Sequence, residues 1–161
     1  MQVPKSSDLR NLTAKHAGGM RKKLRKLKQR PPKNLDETFE SLHEEAFEQI
    51  NCLDCANCCK TTSPMVFEKD IERLSLRLKM KPGEFVERFL FLDTDGIYAM
   101  KSTPCPFLGE DNYCSVYDDR PKACREFPHT NHRKMHTVLH LAEKNIELCP
   151  AVYAIVQKIN A

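Results

Sequence analysis

Four cysteines within eight residues constrain this chain more than any other feature of its sequence. The run from Cys52 to Cys59 has the pattern C-x2-C-x2-C-C. Two residues between cysteines allow one short loop to give two thiolates to a single metal ion. Four further cysteines lie in the second half of the chain: Cys105, Cys114, Cys124 and Cys149. The pattern therefore predicts a metal site, although it does not name the metal or a reaction.

The absence of long apolar segments sets the expected compartment. The longest apolar run, from Ala151 to Val156, has six residues, whereas a membrane-spanning helix needs about 20. The N-terminus lacks the apolar stretch of a secretory signal. We therefore expect a cytoplasmic protein with no membrane partner, in a compartment where thiols stay reduced. Reduced thiols at this density favour metal ligation over a framework of disulfide bonds.

Charge is distributed unevenly along the chain. Residues 1–33 contain eleven Lys or Arg residues and one acidic residue, whereas the remainder contains fifteen basic and twenty-one acidic residues. The overall charge of +4 therefore combines a strongly basic arm with a mildly acidic remainder. We predict that residues 1–33 form a flexible, solvated arm. Two alternatives are contact with nucleic acid, the ribosome or another acidic partner, and a mitochondrial presequence.

Residues 34–161 are predicted to form a cysteine-cluster metal-binding domain of the α+β class, mainly helical and stapled by metal. Amphipathic or apolar patterns predict helices over four segments: 35–50, 68–80, 82–90 and 151–159. Asp95-Gly96 between two short apolar stretches predicts a small β-hairpin over 91–100. Trp is absent and aromatic residues make up 7% of the chain, so we expect a modest core. Structural zinc supplies about 10–16 kcal/mol in small zinc peptides, which would offset this deficit.

The sequence leaves open how the cysteines divide into sites. Cys58 and Cys59 are adjacent, and binding both to one ion strains the backbone. Eight thiols are enough for two four-cysteine sites, for one such site with spare thiols, or for one iron–sulfur cluster with thiols left over. The ferredoxin pattern C-x2-C-x2-C-x3-C-P fails here, because its fourth position is Thr62.

A second motif surrounds Cys124. The residues Tyr117, Arg120, Pro121, Cys124 and Arg125 have the pattern Y-x-x-R-P-x-x-C-R. With the C-x2-C-x2-C-C run before it and a Cys-Pro pair after it, the chain resembles the CxxCxxCC, or YkgJ-like, cysteine-cluster family over about residues 52–149. That family is described as chelating zinc or iron, and some members are called iron–sulfur-cluster proteins. The resemblance implies that all eight cysteines are metal ligands: Cys52, Cys55, Cys58, Cys59, Cys105, Cys114, Cys124 and Cys149.

Several charged and histidine residues lie near the cysteines in the sequence. Arg120 and Arg125 are predicted either to offset the negative charge of metal-bound thiolates or to pair with neighbouring carboxylates. His129 is the first candidate for a ligand other than cysteine. A row of histidines at i, i+4 and i+8 is predicted to be a solvated helix face: His132, His136 and His140.

These patterns predict a protein that binds zinc, iron or an iron–sulfur cluster as a metal-stabilised binding module. One alternative is an iron–sulfur-dependent enzyme or redox factor, and another is an RNA- or ribosome-associated protein that uses the basic arm. No Gly-rich phosphate loop, dinucleotide fingerprint or serine nucleophile elbow is present. Catalytic residues and an organic cofactor are therefore not identified.

The predicted ligand set gives different expected effects for two substitutions. We expect Cys55→Ser to lower the bound metal and the melting temperature, because it removes a proposed ligand. His136→Ala is the control and should change neither quantity. Metal analysis and thermal unfolding of both variants check the assignment, which fails if Cys55→Ser retains full metal content and stability.

Overall fold

The computed structural model describes residues 1–160 and shows a mainly helical α+β protein, which confirms the predicted fold class. The helices are α1 (Leu9–Gln29), α2 (Leu35–Phe47), α3 (Cys52–Cys55), α4 (Asn57–Thr61), α5 (Glu68–Arg77), α6 (Pro82–Phe89), α7 (Lys122–Glu126), α8 (Met135–Asn145) and α9 (Pro150–Lys158). The strands are β1 (Met65–Val66), β2 (Leu90–Leu92) and β3 (Tyr98–Met100). Across residues 1–160, no helix combines the length and apolar character that crossing a membrane requires.

The chain forms two compact units. The first contains Met1–Cys55 and the chain from Pro128 onward, and thus holds α1, α2, α3, α8 and α9. The second unit is Ala56–Phe127 and holds α4 to α7 with the sheet. The boundary between the units falls inside the C-x2-C-x2-C-C run.

Helix α9 is the centre of the first unit. Every residue from Pro150 to Val156 is buried, which is the pattern of a helix covered on all sides. Helices α1, α2 and α8 all pack against it. The apolar run that is too short to span a membrane therefore serves as the core of this unit.

The basic segment at the start of the chain forms helix α1, which packs against α8 and α9. Its apolar side is buried at five positions: Leu9, Ala17, Met20, Leu24 and Leu27. This packing differs from the solvated arm that the sequence predicts over 1–33. The reason is that the apolar row extends back to Leu9 and matches a complementary surface on two helices more than 100 residues away.

The second unit contains a three-stranded antiparallel sheet of order β1-β3-β2. Leu90 pairs with Met100 and Leu92 with Tyr98, so β2 and β3 form the predicted hairpin. Gly96 takes a positive φ of 75° in the turn, a conformation that glycine adopts at little cost. The core of this unit packs α5 and α6 against the sheet and the following loop, with Leu74 and Phe85 fully buried.

Asp36 in the first turn of α2 caps the start of α8. Its carboxylate accepts hydrogen bonds from the backbone N–H groups of Lys134 (2.7 Å) and Met135 (2.8 Å). These bonds hold the pKa of Asp36 below its usual value. Because α8 begins at Met135, His132 lies before the helix, and only His136 and His140 of the predicted histidine row are on it.

Replacement of Asp36 tests this cap. We expect Asp36→Ala to lower the free energy of unfolding by about 1 kcal/mol, the usual effect of losing a cap. The pKa of Asp36 in the folded state lies below its unfolded value of about 4. The stabilisation from the cap is therefore complete at any pH well above 4. It disappears as the pH falls through the lower folded-state pKa, and the two proteins should converge in strong acid. Urea unfolding at several pH values measures the difference, with Glu40→Ala, an exposed change one turn further on, as the control.

Candidate metal centre

The eight predicted ligands divide between the two units. Cys52 and Cys55 are the first and last residues of α3, and Cys149 directly precedes α9, so these three belong to the first unit. The other five belong to the second unit: Cys58, Cys59, Cys105, Cys114 and Cys124. None of the eight takes part in a disulfide bond in the structure.

Backbone hydrogen bonds place Cys59, Cys105 and Cys114 near one another in the second unit. The N–H of Cys105 donates to the carbonyl oxygen of Cys59 at 2.8 Å, which ties helix α4 to the loop that begins at Cys105. That loop folds back on itself, because Leu108 and Cys114 form an antiparallel bridge. Cys105 and Cys114 also pack against the hydrophobic core of this unit. The segment between them thus brings the two cysteines near each other.

The thiols of Cys59, Cys105, Cys114 and Cys124 are close enough for their charges to interact. Burial is the main reason that the pKa of Cys105 rises to about 11 and that of Cys124 to about 12, and negative charge on Cys59 contributes to both increases. Burial and Cys59 also raise the pKa of Cys114. Four neighbouring, partly buried thiolates are therefore unfavourable without a positive charge among them. A bound cation would supply that charge. We call these four residues the second-unit thiol set.

Backbone N–H groups favour the thiolate form of two members of this set, Cys105 and Cys114. The backbone N–H groups of Phe107 and Leu108 interact with the Cys105 sulfur and lower its pKa, against the larger effect of burial. The N–H of Val116 acts in the same way on Cys114. Donors aimed at sulfur are expected where a cysteine serves as a metal ligand, because they stabilise the charged form.

Arg120 adds positive charge beside the same sulfurs. Its guanidinium lowers the pKa of both Cys114 and Cys124, although less than burial raises them. The guanidinium lies 3.9 Å from the centre of the Tyr117 ring and donates to the Tyr117 carbonyl at 2.6 Å. Arg125 donates to the carbonyl of Arg120 at 2.9 Å. Of the two arginines in the Y-x-x-R-P-x-x-C-R motif, Arg120 therefore acts on the thiols and Arg125 supports the backbone beside it.

Cys58 and Cys59 form a separate pair of interacting thiols. Their sulfur atoms are 4.0 Å apart. A hydrogen bond from Cys58 lowers the pKa of Cys59 to about 7, although burial opposes the shift. Cys59 is thus the member of the second-unit thiol set that ionises most easily.

In the first unit, Cys52 and Cys55 lie close enough to Cys149 to affect its ionisation. Burial is the main reason that the pKa of Cys149 rises to about 12, and negative charge on Cys52 or Cys55 makes a smaller contribution. The N–H groups of Val152 and Ala151, in the first turn of α9, oppose it. We call Cys52, Cys55 and Cys149 the first-unit thiol set. His129 lies in the same unit in a left-handed conformation (φ 63°), and its role as a ligand stays a prediction.

The donor chemistry of both sets suits zinc or iron, since each consists of soft thiols with nearby groups that favour ionisation. The sulfur positions are not those of a closed ligand shell. Among residues 1–160, no three His, Cys, Asp or Glu side chains are placed tightly enough to hold one ion. Metal binding would therefore require the thiols of a set to rotate toward a common centre.

The comparison with known families agrees with this chemistry. Residues 51–146 match the model of the CxxCxxCC family, described as "Putative zinc- or iron-chelating domain". The chain belongs to the CxxCxxCC family. The match covers more than half of the chain and includes every cysteine except Cys149. No curated protein and no solved structure matches the chain significantly.

An ion pair between buried Asp70 and partly buried Arg73 positions part of the CxxCxxCC domain. Asp70 is 2% exposed and accepts hydrogen bonds from Arg73 (2.7 Å) and from the N–H of Lys122 (3.0 Å). Arg73 also donates to the carbonyl oxygens of Asp119 (3.2 Å) and Arg120 (3.0 Å). The pair thus holds the chain just before Cys124 against α5. An acidic residue three positions before an arginine is a common helix-surface pattern, so the sequence carried no signal of this role.

We expect Asp70→Ala to lower the free energy of unfolding by about 3 kcal/mol, because it leaves Arg73 without its partner in a partly buried site. The variant should also release metal at lower chelator concentrations, although every cysteine is intact. Chelator titration and urea unfolding measure the two effects. Glu72→Ala, an exposed change on the same helix, is the control and should match the unaltered protein.

Proposed function

We propose that the protein binds zinc or iron through its cysteine thiolates and acts as a metal-stabilised binding module. The observation that carries this proposal is the second-unit thiol set, in which four partly buried thiols from separate chain segments interact, two of them beside Arg120. Membership of a zinc- or iron-chelating family supports the same conclusion.

The second-unit thiol set is the proposed main site, with Cys59, Cys105, Cys114 and Cys124 as ligands. One ion there would join α4, the loop after Cys105 and α7, which are held together by few regular hydrogen bonds. A divalent ion with four thiolates has a formal charge of −2, which Arg120 would partly offset. Such a site has no open position for a substrate, so its role would be structural.

The first-unit thiol set is a proposed second site formed by Cys52, Cys55 and Cys149. Three thiols leave one position for another ligand, which is the feature that would allow chemistry at a metal. Cys58 is the eighth proposed ligand. Its neighbour Cys59 belongs to the main site, and two adjacent cysteines do not readily bind one ion.

The identity of the metal decides between a binding module and the iron–sulfur enzyme or redox factor. Protein purified anaerobically, without added metal, should be analysed for zinc, iron and sulfide and by ultraviolet–visible spectroscopy. A colourless protein that contains zinc supports the binding module. A brown protein with iron and sulfide supports the redox alternative. A protein free of both metals would contradict metal binding. The nucleic-acid or ribosome partner expected for the basic segment stays a prediction at this point.

The two thiol sets predict different effects of cysteine substitution. Cys124→Ser should remove about one metal ion per chain and lower the melting temperature of the second unit, because it opens the main site. Cys149→Ser should leave that ion in place. Native mass spectrometry counts the ions, and Ser115→Ala, beside Cys114, is the control. If the double variant Cys124→Ser/Cys149→Ser loses no more metal than either single variant, the division into two sets is wrong.

A further inference from the structure

Three lysines form an exposed row on the outer side of α1. Lys15, Lys22 and Lys26 are spaced at i, i+7 and i+11, which places them on one side of the helix, opposite the buried apolar row. At 1.5 Å per residue, the row is about 16 Å long. Within residues 1–160, none of the three side chains makes an ion pair or hydrogen bond, and all three residues are exposed. Helix α1 contains no acidic residue.

Several neighbouring cations of α1, unlike the lysine row, have partners within the first unit. Arg21 pairs with Glu147, and Arg25 pairs with Glu143 at 2.7 Å. Lys23 donates to two carbonyl oxygens near the end of α9, at 3.0 and 2.9 Å. Packing within the first unit therefore accounts for these three charges, but not for the lysine row.

Gly18 and Gly19 lie in the middle of the same side, between Lys15 and Lys22. Glycine is among the poorest helix formers, so two in succession weaken the interior of α1. The fold does not require them, because an added Cβ at either position would meet nothing within 4 Å. Their conformations are ordinary for a helix, since neither has a positive φ. The pair instead leaves a shallow strip where another molecule can approach the helix backbone closely.

We propose that this outer face of α1, formed by Lys15, Gly18, Gly19, Lys22 and Lys26, binds the phosphate backbone of a nucleic-acid duplex. Lysines act on phosphates as point charges, and the two glycines allow the backbone of the duplex to lie against the helix. Contacts of this kind position a protein on a duplex without reading its sequence. The inference is independent of the metal sites.

The character of the face favours a duplex over other polyanions. Single-stranded nucleic acid is held by aromatic side chains that stack on its bases, and α1 contains no Phe, Tyr or Trp. Helices that lie on membranes insert an apolar face into the lipid. The apolar side of α1 is buried against α8 and α9, so it is not available for insertion.

The test measures binding of the full chain, with its metal as purified, to fluorescein-labelled 20-base-pair DNA and RNA duplexes by anisotropy over a range of salt concentrations. The variant K15Q/K22Q/K26Q should bind at least tenfold more weakly at low salt. Its plot of log affinity against log salt should be shallower by about 2.7, the value for three lost phosphate contacts. K15R/K22R/K26R keeps the charge and should retain binding.

The matched control is K69Q/K79Q/K81Q, which makes the same change in net charge at exposed positions of the second unit. It should bind within about twofold of the unaltered protein, since its lysines lie outside α1. The proposal is overturned if the unaltered protein binds neither duplex or if the lysine row variant binds normally. Equal weakening by the control, or a preference for single strands or anionic vesicles, would also overturn it.

The glycine pair has a separate test. We expect Gly18→Ala/Gly19→Ala to raise the melting temperature, because alanine is the better helix former, and to weaken duplex binding severalfold, because two methyl groups occupy the strip. Higher stability with weaker binding supports a close approach at this point. Unchanged binding would show that the duplex does not reach the helix backbone.

Discussion

The unfavourable energy of several partly buried thiolates close to one another is the constraint on which the second unit depends. Cys59, Cys105, Cys114 and Cys124 come from separate segments, and charge on one raises the pKa of others. Arg120 and backbone N–H groups offset only part of this effect. A metal ion bound there would supply the missing positive charge and link segments that few regular hydrogen bonds connect. Folding and metal binding are therefore expected to be coupled in this unit.

The segments that carry the second-unit cysteines are held in place mainly by backbone hydrogen bonds. Cys105 is tied to Cys59 through their main chains, and the bridge between Leu108 and Cys114 closes the intervening loop. Asp70 and Arg73 then hold the chain before Cys124 against α5. None of these contacts involves a proposed ligand side chain, so substitutions away from the cysteines can still change metal affinity.

Helix α1 is an amphipathic segment whose two sides differ in how the fold uses them. Its apolar side completes the core of the first unit, and Arg21 and Arg25 pair with acidic residues there. The opposite side carries three lysines without partners in residues 1–160 and two glycines that the fold does not need. The charge of the segment is therefore only partly explained by packing.

The sequence by itself determined the elements whose signals are local. Periodic apolar residues predicted α2, α5 and α6, Asp95-Gly96 predicted the hairpin, and the spacing of the cysteines predicted metal chelation. Tertiary structure decided the division of the cysteines between two units, the burial of α1 and the role of Asp70. Each of these depends on interactions between residues far apart in the chain, such as the hydrogen bond from Lys122 to Asp70 or the effect of charge on Cys52 on the pKa of Cys149. Periodicity and spacing describe only near neighbours, so they carry no information about which distant surfaces meet.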